Sequence, residues 1–522
     1  MTVLSDAPAR ETTATVDSPG RPSRATVVAV TAVLIAGLVS FFWTRSDLWL
    51  DEALSVNIAR LPLGQLHQAL RHDGAPPLYY ALLHVWTAVL GSGDWAVRSL
   101  SGLCMVGAAI GLWFAGRRIA GRAGAWISVM LFAANPYAIR YATETRMYAL
   151  EILLVTWGML AFRRAFEAPT VKRLVPFGVI VALLLYTQYW TLYLLLVTFG
   201  LLVLFAWRGP HRVAARRMLI TMAVAGLAFI PWLPTFLYQR AHTGTPWGTP
   251  VFPGIPFGYT LRDFAGGDEQ EGWVLLAPMI GFLLLGLFGR ATDERRVEID
   301  LHTQPPARWE AIVLGATLVV GLTLNYVAGG AFQSRYSALV FPFFIVLVAR
   351  GVTTLTNPRV RAGVLTVVIA LGFVGAGRNV VTNRTEAGDV AAVLRADAAP
   401  GDVVVYCPDQ LGPAVHRLAP AGLDEVTYPD FAAPGLVNWV DYTARLARAD
   451  PQAFAREVLD RARGHTLWFV NSPGYITHPV VCGTLSSLFA LSRPRTVRVT
   501  SDDRIFEHPG LQEFPARKPA GS

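Results

Sequence analysis

Charge is scarce in this chain. Only 16% of its 522 residues are Asp, Glu, Lys or Arg, where a soluble globular domain carries about 25%. That shortfall excludes an ordinary soluble enzyme. Lysine is almost missing, with Lys172 and Lys518 the only two. Cysteine is limited to Cys104, Cys407 and Cys482. Cys104 lies in an apolar run and reads as inert packing. Cys407 and Cys482 fall in the C-terminal part, which leaves two readings open: a bonded pair, available to them if that part lies outside the cytoplasm, or two buried thiols. No Gly-rich phosphate loop follows any strand pattern, so nothing points to nucleotide binding. No internal repeat is visible, which weighs against a transporter built from inverted halves. No small-residue cleavage site follows the first apolar run, so that run is expected to stay as an anchor.

Apolar residues fill the space left by charge. They make up 53% of the chain, and the mean hydropathy is +0.41. The expected fold class is an all-α polytopic membrane protein with a C-terminal soluble α/β domain. Runs that suit a span of ~17–25 residues, or slightly fewer, lie near 25–44, 98–116, 122–138, 147–163, 173–188, 190–206, 217–238, 271–289, 309–328, 336–350 and 361–378, about eleven in all. Net charge is +9, yet the arginines sit in short connections between runs. Arg117, Arg118 and Arg122 are one such group, and Arg208, Arg212, Arg216 and Arg217 another. Every second connection is basic, which marks those as cytoplasmic and excludes a nucleic-acid face. The N-terminus is then cytoplasmic, and the C-terminal domain lies outside the cell membrane.

Four regions follow. Residues 1–24 are rich in Ala, Thr, Ser and Pro and are expected to be disordered. Residues 25–380 form the membrane domain, with a long outer loop over 45–97 that holds a short juxtamembrane or re-entrant helix from Pro76 to Leu90. Residues 381–508 alternate helical and strand patterns and read as a small α/β domain, and 509–522 read as a tail. The segment Gln239–Gln270, rich in Gly, Pro and aromatic residues, suits a mobile lid or an acceptor-binding loop, or a passive connector.

The ionisable residues expected on the outer side carry the functional argument. Asp51-Glu52 follows the first run. A carboxylate at a bilayer edge is costly without a partner or a task, and one partly withdrawn from water makes a better base. A helix cap is the structural alternative for Asp51. His72 and Asp73, before Pro76-Pro77-Leu78-Tyr79-Tyr80, are candidates to bind acceptor, orient Asp51 or ligate a divalent metal, the metal being least supported without a second close His. Glu144 and Tyr148 are placed on one helix face, with Glu144 either touching a sugar hydroxyl or neutralising Arg146. Arg335, followed by Tyr336, opens the tenth run. A guanidinium beside free backbone N–H groups has the form of a phosphate site. Asp94 and Arg98, four apart, read as an ion pair.

Taken together, these motifs resemble a known family. The acidic pair after the first span, His72-x-x-x-Pro-Pro-Leu-Tyr-Tyr80, Glu144-x-Arg-x-Tyr148 and Ser334-Arg-Tyr336 look like the GT-C glycosyltransferases, closest to the protein O-mannosyltransferase and aminoarabinose transferase group (glycosyltransferase family 39 and 83-like). The resemblance covers residues 25–378. It implies inverting transfer of a mannose-like sugar or a pentose from a polyprenyl-phosphate donor to a protein, lipid or glycan acceptor on the outer membrane face. It further implies Asp51 as catalytic base with Glu52 beside it, and His72, Asp73, Tyr79, Glu144, Arg146, Tyr148, Arg335 and Tyr336 as substrate-binding residues. Arg335 with Tyr336 would hold the donor phosphate. No cofactor is implied with certainty, and a divalent metal stays open. The competing functions are a lipid-linked sugar flippase or a non-catalytic cell-wall assembly protein.

Overall fold

The computed structural model of this protein describes residues 23–208, 211–267 and 270–516. The disorder expected of 1–22 and the last six residues of the expected tail lie outside them. Helix α1 (Arg24–Ser40) starts at Ser23, whose hydroxyl accepts the Thr26 N–H. The segment after it, expected as a long loop holding one short helix over Pro76–Leu90, carries three helices: α2 (Leu50–Ala59), α3 (Leu63–Asp73) and α4 (Leu78–Leu90), the last on the expected one. Helix α3 ends on Gly74 at φ 88°, a left-handed C-terminus that glycine adopts without steric cost. Helix α4 has 13 residues, too few to span a bilayer core of ~30 Å. Next comes α5 (Asp94–Ala133), which breaks at Ala120 and Gly121. There the chain turns back on itself, because a Cβ on Gly116 would meet the Gly124 carbonyl at 2.7 Å. The second and third expected runs are therefore two arms of one tight hairpin.

Helices α6 (Pro136–Ala142), α7 (Tyr148–Glu167), α8 (Val171–Leu185) and α9 (Thr191–Trp207) follow. Asn135 caps α6 by accepting from the Tyr137 and Ala138 N–H groups, with Pro136 at the first helical position. Helices α10 (Arg212–Leu227) and α11 (Leu233–His242) are bent by 40° at Ile230–Trp232. The Gln239–Gln270 segment is not all loop, since it carries α12 (Gly254–Ala265), and Phe264 from that helix is fully buried. Then come α13 (Gln270–Phe288), a hairpin of β1 (Gly289–Ala291) and β2 (Val297–Ile299), α14 (Pro305–Val327), the 3₁₀ turn Ser334–Val340, α15 (Phe341–Thr353) and α16 (Pro358–Val381).

Helices lie on all eleven expected runs, but among the described residues only four are long and apolar enough to cross a membrane, or five if α10 and α11 are one bent span. The expected count of eleven is not reached on that criterion, because breaks and short lengths divide the rest. Helix α15 forms the centre. It is apolar from Phe341 to Ala349 and almost wholly buried, the pattern of an interior helix. Its Gly351 faces Gly286 of α13 so closely that a Cβ there would lie 1.8 Å from the Phe282 carbonyl. Small residues permit this backbone approach.

The C-terminal unit contains α17 (Ala387–Asp397), β3 (Val403–Cys407), α18 (Gly412–Leu418), β4 (Asp424–Thr427), α19 (Tyr442–Arg448), α20 (Pro451–Arg461), β5 (Leu467–Asn471), α21 (Val481–Ser492), β6 (Thr496–Val499) and β7 (Gly510–Phe514). Its sheet runs β4-β3-β5-β7-β6. Strand β3 pairs parallel with both β4 and β5, while β7 is antiparallel to β5 and β6. Cys407 and Cys482 are bonded to each other, and Cys104 is buried and free. One expectation needs correction: residues 510–514, expected in a tail, form an interior strand paired with β5 on one side and β6 on the other. Across the expected boundary at 381, Arg384 is buried and donates to the Thr143 carbonyl at 2.6 Å and its hydroxyl at 2.7 Å.

Candidate active site

Helix α2 presents Asp51 from its first turn. The N-cap position belongs to Trp49, which makes no side-chain cap bond, so Asp51 is not the cap. The free Leu50 N–H is instead met at 2.6 Å by the carboxylate of Glu507, far along the chain. Across a cavity of ≈ 1150 Å³, Arg335 Nη2 stands 3.4 Å from Asp51 Oδ2. The Trp49 and Tyr336 rings flank the Arg335 guanidinium, at 5.5 and 5.8 Å. Arg146 also lines the cavity. Its Nη1 donates to Ser55 Oγ at 3.0 Å and to the Tyr80 hydroxyl at 3.2 Å, and Tyr80 in turn donates to Asp73 at 2.8 Å. Burial pushes the Asp73 carboxyl up, against the pull of Arg146.

The two guanidiniums are incompletely paired. Nε of Arg146 and Nε of Arg335 are both buried without a hydrogen-bond partner. A buried donor left unmet costs about 1–3 kcal/mol, and an anion bound between them would meet it. Apolar side chains line the same cavity, among them Leu192 on α9 and Leu324 and Val327 on α14. The cavity thus combines cationic and apolar lining. That combination suits an amphipathic phosphate ester.

Residues 74–235 match the family model described as dolichyl-phosphate-mannose-protein mannosyltransferase. No curated protein sequence matches. The crystal structure of ArnT from Cupriavidus metallidurans in the apo state superposes with a TM-score of 0.58 at 15% identity, over 94% of this chain and 98% of that chain. The same protein bound to undecaprenyl phosphate gives 0.55 at 14% identity, over the same shares. The chain has the GT-C fold.

Within this GT-C chain, six of the expected site residues line one cavity: Asp51, Asp73, Arg146, Tyr148, Arg335 and Tyr336. Four do not. Glu52 is fully buried, and Arg98 holds it through two hydrogen bonds, at 2.8 and 2.6 Å, while the Thr145 N–H donates to it at 2.9 Å. Burial raises its carboxyl but Arg98 outweighs burial, so the group is held below its ordinary range. Glu52 is a structural counter-ion, and Arg98 pairs with it rather than with Asp94, which pairs with Arg417. Glu144 is buried against Arg140 at 3.1 Å and sits in a turn before α7, so it shares no helix face with Tyr148. Tyr79 is buried beside Ser101. His72 offers its backbone carbonyl to the Trp439 N–H, and its side chain is not among the lining groups.

Sequence patterns missed the part of this cavity that the C-terminal unit supplies. Trp439, Tyr475, Phe506, Glu507 and His508 all come from the C-terminal unit. No motif marks them, since they lie in irregular segments after strands and turns. Among the described residues no three His, Cys, Asp or Glu side chains gather as a metal site.

Proposed function

We propose that this protein is an inverting glycosyltransferase that moves a mannose-like sugar or a pentose from a polyprenyl-phosphate carrier to a protein, lipid or glycan acceptor. One observation carries the proposal: Asp51 and Arg335 meet at 3.4 Å in a cavity that is also lined by apolar side chains. Asp51 accepts the acceptor's hydroxyl proton as that oxygen bonds to the anomeric carbon. The bond from that carbon to the phosphate oxygen breaks on the opposite side, and the lipid phosphate leaves with the electron pair. Arg335 and Arg146 balance the charge that builds on it, which is expected to be the largest single contribution. Without donor, Arg335 neutralises Asp51. A bound phosphate draws the guanidinium away and frees the base.

The catalytic end faces outward in this scheme, with the N-terminus inside. The basic connections support that orientation, as does the bonded pair Cys407–Cys482, since disulfides persist outside the reducing cytoplasm. The first test is undecaprenyl phosphate binding to purified protein. Arg335→Ala is expected to weaken it at least tenfold, and Asp51→Asn to leave it within a few-fold. Screening radiolabelled polyprenyl-phosphate mannose, arabinose and glucose with membrane extract then identifies the sugar, and Asp51→Asn abolishes that transfer. Undiminished transfer in Asp51→Asn, or unchanged binding in Arg335→Ala, overturns the proposal.

A further inference from the structure

Glu507 is the feature that neither the motifs nor the comparisons account for. It lies between β6 and β7 in the C-terminal unit yet reaches the helical unit. Its backbone N–H donates to the Arg384 carbonyl and its backbone carbonyl accepts from Glu386 N–H, both at 3.0 Å. These bonds hold it rigidly, and next to it Phe506 packs edge-on to Trp49 at 5.1 Å. Carboxylate Oε2 takes the Leu50 N–H at 2.6 Å, one residue before Asp51. The other oxygen, Oε1, is buried without a hydrogen-bond partner, and the residue lines the same cavity as Asp51 and Arg335. Glu507 is only 3% exposed.

A carboxylate at this spot would be poorly compensated. Asp51 and Glu52 are the acidic groups facing it from α2, Thr385 and Glu386 stand on the adjoining segment, and Tyr475 and His508 lie alongside. Arg384, whose backbone carbonyl takes the Glu507 N–H, points its guanidinium at Thr143 and Glu52. Arg335, across the cavity, stands by Asp51. Among the described residues no cation forms an ion pair with Glu507.

We propose that Glu507 is a positioning residue of the phosphate-binding cavity: in its uncharged form it fixes the first turn of α2 and so the aim of Asp51, and it keeps the cavity open to an anion. This deepens the glycosyltransferase proposal and rests on it. Burial, with the Asp51 charge adding to it, pushes the Glu507 carboxyl up to about 8. Below that value the site holds a neutral acid. Above it, a second negative charge enters the cavity and repels a lipid phosphate.

The test measures undecaprenyl phosphate binding from pH 7 to 9.5, a window in which the phosphate has already lost its second proton. Wild-type affinity is expected to fall at least tenfold as Glu507 ionises, because a doubly charged phosphate then meets a second buried negative charge at an effective dielectric of about 20. Glu507→Gln keeps an acceptor for Leu50 N–H and carries no charge, so its affinity stays within twofold across the window and matches wild type at pH 7. A flat wild-type profile overturns the proposal without any variant. So does a Glu507→Gln profile that falls as steeply as wild type. If undecaprenyl phosphate does not bind wild type at any pH, or binds regardless of Arg335, the glycosyltransferase proposal fails instead.

Discussion

Replacing Arg98 tests whether the carboxylate next to Asp51 is structural. The Arg98–Glu52 pair is 6% and 0% exposed, with its closest approach at 2.6 Å. Arg98 also donates to the Ser46 carbonyl at 2.6 Å and the Asp47 carbonyl at 3.1 Å, tying down the entry to α2. Arg98→Ala strands a fully buried carboxylate, a change that costs about 3–5 kcal/mol. The distant Arg384, 3.9 Å from Glu52, offsets part of that. Glu52→Gln with Arg98→Met removes both charges while the new amide still accepts the Thr145 N–H. The double variant is therefore expected to recover part of the loss, the Ser46 and Asp47 carbonyls remaining unmet. Heating the detergent-purified variants and measuring the soluble, monodisperse fraction gives the order directly. Wild type is expected to be most stable, the double variant intermediate and Arg98→Ala least. Arg98→Ala as stable as wild type, or no more than equal recovery in the double variant, refutes the argument. The pH dependence follows in sign. Glu52 is held below its ordinary range, so its contribution is present above the ordinary glutamate value and is lost as pH falls through the lowered folded value.

Other predictions concern the C-terminal unit and the cavity. Truncation after Pro509 removes β7 from between β5 and β6 and is expected to abolish folded protein, as read by limited proteolysis, whereas loss of a true tail would be tolerated. Cys407→Ser with Cys482→Ser opens a link with a sequence separation of 75 and should destabilise that unit by up to about 4 kcal/mol on chain entropy, seen as a lower melting temperature under non-reducing conditions. Glu507→Gln is expected to raise thermal stability at pH 7. The folded carboxyl titrates at about 8 rather than 4.5, so the wild type loses stability as pH rises between those values and the amide does not. Arg146→Met removes a buried guanidinium bonded to Ser55 and Tyr80 and is expected to weaken undecaprenyl phosphate binding at least fivefold.

Much of the site was legible because charge in an apolar chain is expensive. Asp51, Asp73, Arg146 and Arg335 stand out for that reason, and the cavity collects all four. The same logic misjudged Glu52 and Glu144. Local sequence does not show that Arg98 arrives from another helix to neutralise Glu52, nor that Arg140, four residues before Glu144, takes that carboxylate in place of Arg146. It misjudged His72 and Tyr79 as well, which sit in a conspicuous motif but serve packing and backbone contacts. In the C-terminal unit the strand patterns over Asp402–Cys407 and Thr466–Asn471 locate β3 and β5, whose residues are buried throughout, and nothing of the kind marks β7, whose five residues carry no clear alternation.

Composition and hydrophobic periodicity alone determined that this chain is a helical, lipid-compatible bundle with a small α/β unit after it, because burying backbone and avoiding charge are local demands that each segment must meet by itself. Only the tertiary structure decided which charges are counter-ions and which are left facing a cavity, and that Glu507 closes the first turn of α2. Pairing depends on what the rest of the chain brings within a few ångströms, and Leu50 and Glu507 are 457 residues apart.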